Sequence, residues 1–217
     1  MKKCIFFTLC ILILFSTHST QAQKDNKQKS ASSGGSCFAG NNSVINLGVG
    51  FFSSVTYRYG KNGSYKYTQT PALSLSYEYG LPEKIGPGHV GVGAYFGYRA
   101  ATYRFDDFYY LNNRYYYEHK WTYSYWAIRG VYHLDDLMND KAELYFGTTL
   151  GIRYTKYKFN PNSNDPFLYN YELRESAVRP NISLFAGGRY YFTENIGAFL
   201  EIGYGITWLT GGLALKF

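Results

Sequence analysis

From Ser43 to Phe217 the chain falls into runs of about ten or more residues in which apolar side chains alternate with small or polar ones. A period of two is the mark of strands whose two faces meet different surroundings. Eight such runs are legible, over 43–54, 70–81, 88–105, 117–134, 141–158, 176–192, 196–207 and 209–217. The connections alternate in length. "PEKIGPG" (82–88), "DDLMNDK" (135–141) and "TEN" (193–195) are short, those around 55–69, 106–116 and 159–175 are long, and a tight final connection falls near Trp208. Short turns at one end and long loops at the other are the arrangement of a membrane barrel with periplasmic turns and extracellular loops. The pattern therefore predicts an all-β fold, an eight-stranded antiparallel transmembrane β-barrel with both ends of the barrel on the periplasmic side.

The alternation also assigns faces. In "NIGAFLEIGYGI" (195–206), Ile196, Ala198, Leu200, Ile202, Tyr204 and Ile206 share a face fit for lipid, and Gly197, Phe199, Glu201, Gly203 and Gly205 share the other. Glu201 thus points into the lumen. By the same rule Leu144, Phe146, Leu150, Ile152, Val178, Ile182, Leu184, Tyr190 and Phe192 face outward, while Glu143, Arg153, Arg179 and Arg189 face inward with Glu78, Arg99, Arg129 and Lys216. Counted from the strand ends, Glu78, Glu143 and Glu201 share a lower layer with Arg129, Arg189 and Lys216, and Arg99, Arg153 and Arg179 lie nearer the outside. The interior of eight strands is only wide enough for side chains to fill, so these charges are expected to pair and plug the lumen.

Composition sharpens this picture. The chain is 20% aromatic, with 25 Tyr and 23 Gly, which suits strands bearing aromatic girdles at two membrane interfaces. Lys2 and Lys3, the apolar block "CIFFTLCILILF" (4–15) and the small-residue site ending at Ala22 form a secretory signal pattern over 1–22. Residues 23–42, polar and rich in Lys, Ser and Gly, read as a flexible periplasmic lead-in outside the barrel wall, and 43–217 as the barrel. Removing the two leader lysines leaves 20 basic against 15 acidic residues, a formal charge of +5. The basic residues are scattered, so nucleic acid is not an expected partner. Cys4 and Cys10 leave with the leader, and Cys37 alone forms neither an internal disulfide nor a four-ligand zinc site; no cofactor is expected.

The last eight residues, "TGGLALKF", with Thr210, Gly212, Leu215 and terminal Phe217, resemble the C-terminal signal that outer-membrane barrels present to their assembly machinery, Leu215 replacing the more usual aromatic. With the eight strands, 43–217 resembles the small outer-membrane barrels of the OmpX and OmpA transmembrane-domain type. Its final hairpin, "GAFLEIGYGITWLTGGLALKF", is most similar to the outer-membrane β-barrel proteins of Bacteroidetes. That resemblance implies a bacterial outer-membrane location, with lipid, lipopolysaccharide and the barrel-assembly machinery as partners. It implies little about activity, since one architecture carries many.

Three function classes follow. A lipid-modifying enzyme needs a nucleophile, a base and an orienting group within hydrogen-bond reach; His89 and His133 fall at periplasmic strand ends and His119 near the outer rim, with no recognisable pattern around them. A general porin requires more strands, which leaves transport of small hydrophobic solutes through the wall. The external loops favour a third class. "TYRYGKNGSYKYTQ" (56–69), "DDFYYLNNRYYYEHKW" (106–121) and "NPNSNDPFLYNYELRE" (160–175) mix Tyr with Asn, Ser, Gly and Arg, the composition of adaptable binding surfaces. Tyr59, Tyr67, Tyr109, Tyr110, Tyr115, Tyr116, Tyr169 and Tyr171 are the candidate contacts for an extracellular protein or glycan ligand. Arg58, Lys61, Lys66, Arg114 and Lys120 lie among them, suited to acidic sugars or lipid phosphates. The expected function is surface binding, adhesion or a structural role in the envelope.

Overall fold

The computed structural model describes residues 38, 40–53, 65–110, 113–134, 140–161 and 175–217, with side chains at 53, 65, 106–110 and 113–115 excepted. The described elements are all strands: β1 (Ser43–Ser53), β2 (Tyr65–Gln69), β3 (Ala72–Ile85), β4 (Gly88–Tyr110), β5 (Asn113–Leu134), β6 (Ala142–Pro161), β7 (Ala177–Tyr191), β8 (Ile196–Tyr204) and β9 (Thr207–Lys216). Proline at 71 cannot donate to a ladder, so β2 and β3 are separate pieces laid end to end along β4. The Thr70 amide donates to the Ala100 carbonyl across the gap (2.9 Å). Every pairing is antiparallel, and the order β2/β3–β1–β9–β8–β7–β6–β5 closes through a β4–β5 ladder. Nine strands thus make eight staves of a closed barrel.

The end carrying the short turns is the lower one. There β3 and β4 meet in a turn at Gly86–Pro87, tighter than the expected 82–88 connection, and Gly86 takes a φ of +62° that a residue with a Cβ rarely adopts. The first and last strands close the wall through reciprocal bonds, Ser43 N–H to Phe217 O (3.0 Å) and Phe217 N–H to Ser43 O (2.9 Å). The upper end differs more from expectation. Residues 106–116, expected as a loop, are mostly strand: β4 runs to Tyr110 and β5 starts at Asn113. The final turn lies at 205–206, ahead of Trp208, and Ile206 folds inward against Ala72 and Tyr125 instead of facing outward.

The rim is therefore uneven. Staves β2, β4, β5 and β6 continue upward, while the β8–β9 hairpin stops at Tyr204 and Thr207. Above Leu184, the last β7 residue paired with β8, residues 177–183 have β6 on one side and no described partner on the other. Pro180 sits on that open edge, where a missing N–H costs no ladder bond.

Outward positions form an apolar belt that includes the exposed Leu47, Leu75, Val92, Ile128, Leu150, Ile182, Leu200 and Leu213. Exposed aromatic side chains border it above (Tyr98, Trp126, Tyr154, Tyr204, Trp208) and below (Tyr77, Tyr190, Phe192). Beyond the upper border the outward positions of the tall staves become Thr102, Arg104, Glu118, Lys120, Lys156 and Lys158. At the lower end the expectation of a lead-in outside the wall fails at one residue. Phe38 is fully buried, stacked on the His133 ring at 3.7 Å and clustered with Val44, Tyr191, Phe199 and Ala214. Nearby Asn41 is bonded to the wall through its amide and side chain.

Candidate functional site

Three groups of side chains carry chemistry, and the register positions each. In the lower lumen Arg189 donates from all three nitrogens: Nη2 to Glu78 (2.7 Å), Nη1 to Glu143 (2.5 Å) and Nε to Asn46 (3.2 Å). Arg129 places Nη1 and Nη2 on the two oxygens of Glu201 (3.2 and 2.5 Å), with Nε 3.9 Å from Glu78. Tyr145 donates its hydroxyl to Glu201 (2.9 Å), and His133 Nε2 is bonded to Glu78. All these ionic groups are buried. A buried charge is tolerated only with such partners, and here two guanidiniums link three carboxylates into one connected set. The cations also pack on rings, Arg129 over Phe185 (3.9 Å) and Arg189 over Tyr145 (4.5 Å).

Two glycines make this reach possible. Glu78, Gly93 and Arg129 are register neighbours on β3, β4 and β5, and Tyr145, Gly187 and Glu201 on β6, β7 and β8. In each trio the middle residue lacks a side chain, so the outer two meet across it. A Cβ at Gly187 would lie 2.8 Å from Glu201 Cγ and 2.7 Å from the Leu200 carbonyl.

The second group occupies the upper lumen. Arg99 is buried and its Nη2 donates to Gln69, while Arg153 on β6 and Arg179 on β7 are direct cross-strand partners, Arg179 exposed at the open edge. Above Arg99 the inner face of the tall staves is aromatic: Tyr103, Trp121 and Tyr123 are buried, with Tyr67, Tyr117 and Tyr157 packed against them. His119 Nδ1 meets the Tyr157 hydroxyl at 2.6 Å.

The outer face of the same staves is the third group. Lys66 stands opposite Arg104, and Lys120 opposite Lys158. The Arg104 guanidinium lies 4.3 Å from the Tyr116 ring centroid.

Placement differs from the sequence reading in several respects. Lys216 lies at the lower end with Nζ over the Tyr191 ring (4.6 Å). His133, read as an isolated interfacial residue, is part of the buried set; its tie to Glu78 spans 55 residues and has no local signal. Tyr67 belongs to β2 and the inner aromatic cluster, not to an external loop. Tyr109, Tyr110 and Tyr115 lie on strands, and Tyr116 is on the outer face. Tyr59, Tyr169 and Tyr171 lie outside the described residues. At the chain end Thr210 is buried, its hydroxyl 2.9 Å from that of Thr207, Gly212 pairs with Gly48, and Leu215 with Ile45 and Ile196.

No family model matches the chain, and no curated protein does. Among solved structures it is similar to Ail, the attachment invasion locus protein of Yersinia pestis, in complex with the heparin analogue sucrose octasulfate, at 14% identity over 83% of this chain and 100% of that one, TM-score 0.42. It is also similar to the N-terminal β-barrel domain of Pseudomonas aeruginosa OprF (16% identity, 83% and 100% covered, TM-score 0.40). OprG, an outer membrane protein of Pseudomonas aeruginosa, matches at 13% identity over 82% and 97%, TM-score 0.41.

Proposed function

We propose that the chain is a bacterial outer-membrane barrel, its lumen plugged by its own side chains, that binds an anionic partner at the cell surface through the outer face of its tall staves. The observation that carries this reading is the change of character along one continuous surface. The belt is apolar up to its upper aromatic border, as a wall meeting hydrocarbon requires, and immediately above it the same strands turn basic. Like charges directly opposite one another destabilise a sheet. Arg104 has Glu118 as its partner on β5 as well as Lys66 on β2, whereas Lys120 stands between Thr102 and Lys158, a like-charge pair that suits a surface meeting negative charge. Acidic sugars and lipopolysaccharide phosphates both have that chemistry. Beside the lower charge set, the cavity among Tyr95, Tyr125, Arg129, Thr149 and Glu201 is about 40 Å³, room for water but not for a solute. The likeness of the final hairpin to Bacteroidetes barrels, and recognition of Thr210–Phe217 by assembly machinery, belong to the same proposal.

The test is charge reversal at Lys120→Glu and Lys158→Glu in cells displaying the barrel. Retention on a surface coated with an acidic polysaccharide should fall at least tenfold and, for the parent, weaken with added salt. Heat-modified gel migration should be unchanged, because both residues lie above the belt. Full retention by the folded variant would rule out this face as the binding surface.

A further inference from the structure

The two arginine groups of the lumen are built differently. Every nitrogen of Arg189 has an acceptor, and Arg129 grips both oxygens of a carboxylate, its Nε lying without a hydrogen bond but 3.9 Å from Glu78. Among the described residues the upper three have no such partner. Arg99 is 4% exposed, yet its Nε and Nη1 are buried without a hydrogen-bond partner, and so is Nε of Arg153. Arg153 and Arg179 face each other directly across β6 and β7. Arg99 lies on the inner face of β4, two residues above Gly97, whose register row runs through Tyr125 to Arg153. Among the described residues no carboxylate pairs with any of the three.

This arrangement works against folding on two counts. Guanidinium donors buried without acceptors carry an uncompensated desolvation cost, and cross-strand cations repel. A multi-oxygen anion answers both, because guanidinium forks match its geometry and its charge offsets theirs. Among the described residues the wall is lowest at the β8–β9 hairpin. Arg179 is exposed on the β7 edge that rises past the short β8–β9 hairpin, next to Val178 and well beyond Leu184, the residue that pairs with Tyr204.

We propose that Arg99, Arg153 and Arg179 form a binding site for a tetrahedral oxyanion, a phosphate or sulfate group, entering the upper lumen over the β8–β9 hairpin. The site is separate from the basic outer face, so either can fail without the other. Its source is a free ion or the phosphate of a neighbouring lipid headgroup.

The test uses the full chain refolded in nonionic detergent, with urea unfolding midpoints measured as chloride is replaced by inorganic phosphate or sulfate at constant ionic strength. A bound anion should raise the parent's midpoint in proportion to the logarithm of its concentration. The double variant Arg153→Gln, Arg179→Gln should lose that dependence, and in chloride alone its midpoint should equal or exceed the parent's, since repulsion has been removed. General salting effects on burial act on both proteins, so the difference between them is the readout. Arg99→Gln should flatten the dependence in a barrel whose outer face is untouched. Micelles doped with phosphatidylglycerol in phosphate-free buffer separate the sources: stabilisation there, lost in the double variant, identifies a headgroup, and stabilisation by inorganic phosphate alone identifies a free ion. The proposal is overturned if neither source stabilises the parent beyond the double variant, or if the double variant is less stable in chloride, which would reveal partners within the chain.

Discussion

Glu201 sits alone in an apolar strand and reads at first as a defect. Its neighbours resolve it: two nitrogens of Arg129 and the Tyr145 hydroxyl converge on its oxygens. Replacing Glu201 with Gln removes the charge that Arg129 is held against while leaving the guanidinium buried. We expect a loss of about 3 kcal/mol, read as a lower urea midpoint of the refolded barrel with unchanged heat-modified migration. Of the two arginines, Arg189 is the more connected, since it alone joins Glu78, Glu143 and Asn46.

Strands are where inward and outward fates separate, one residue apart. Leu200 and Glu201 are adjacent in β8, yet Leu200 is 53% exposed on the belt and Glu201 is 8% exposed in the lumen. On our reading the belt meets hydrocarbon, so Leu200→Arg, near the middle of its strand, should cost about 2–4 kcal/mol of insertion free energy. Refolding into lipid vesicles should then yield a reduced folded band; normal yield would place β8 one residue out of register. The extra height of β4, β5 and β6 is also an element-level feature. It turns expected loop into sheet and sends Trp121 and Tyr103 inward as a small aromatic core at the mouth.

For the molecule as a whole, closure does more than join strands. Phe38 comes from outside the strand pattern and seals the lower end against His133, beneath the charge set. Phe38→Ala should therefore destabilise the barrel by about 3 kcal/mol, seen as a lower urea midpoint for the full chain. An unchanged midpoint would mean that the phenyl ring is a passenger. At the other end, the described rim is uneven, tall along β4, β5 and β6 and low at the β8–β9 hairpin.

What the sequence determined by itself is what depends on period and spacing. Alternation along 141–158 and 176–192 assigns Leu150 and Ile182 outward and Glu143 and Arg189 inward, because successive side chains of a strand point to opposite faces. The tertiary structure decided what depends on register and closure. The bond from Arg189 to Glu78 spans 111 residues, and the Tyr145–Glu201 bond requires a glycine on the strand between them. No local pattern encodes such partners. Strand ends near Tyr110 and Asn113 were equally hidden: Tyr, Asn and Asp suit a polar loop by composition, and only a neighbouring strand to pair with makes those residues sheet. Phe38 is the plainest case, an isolated aromatic in a polar stretch whose burial exists only because eight staves leave an apolar socket beneath His133.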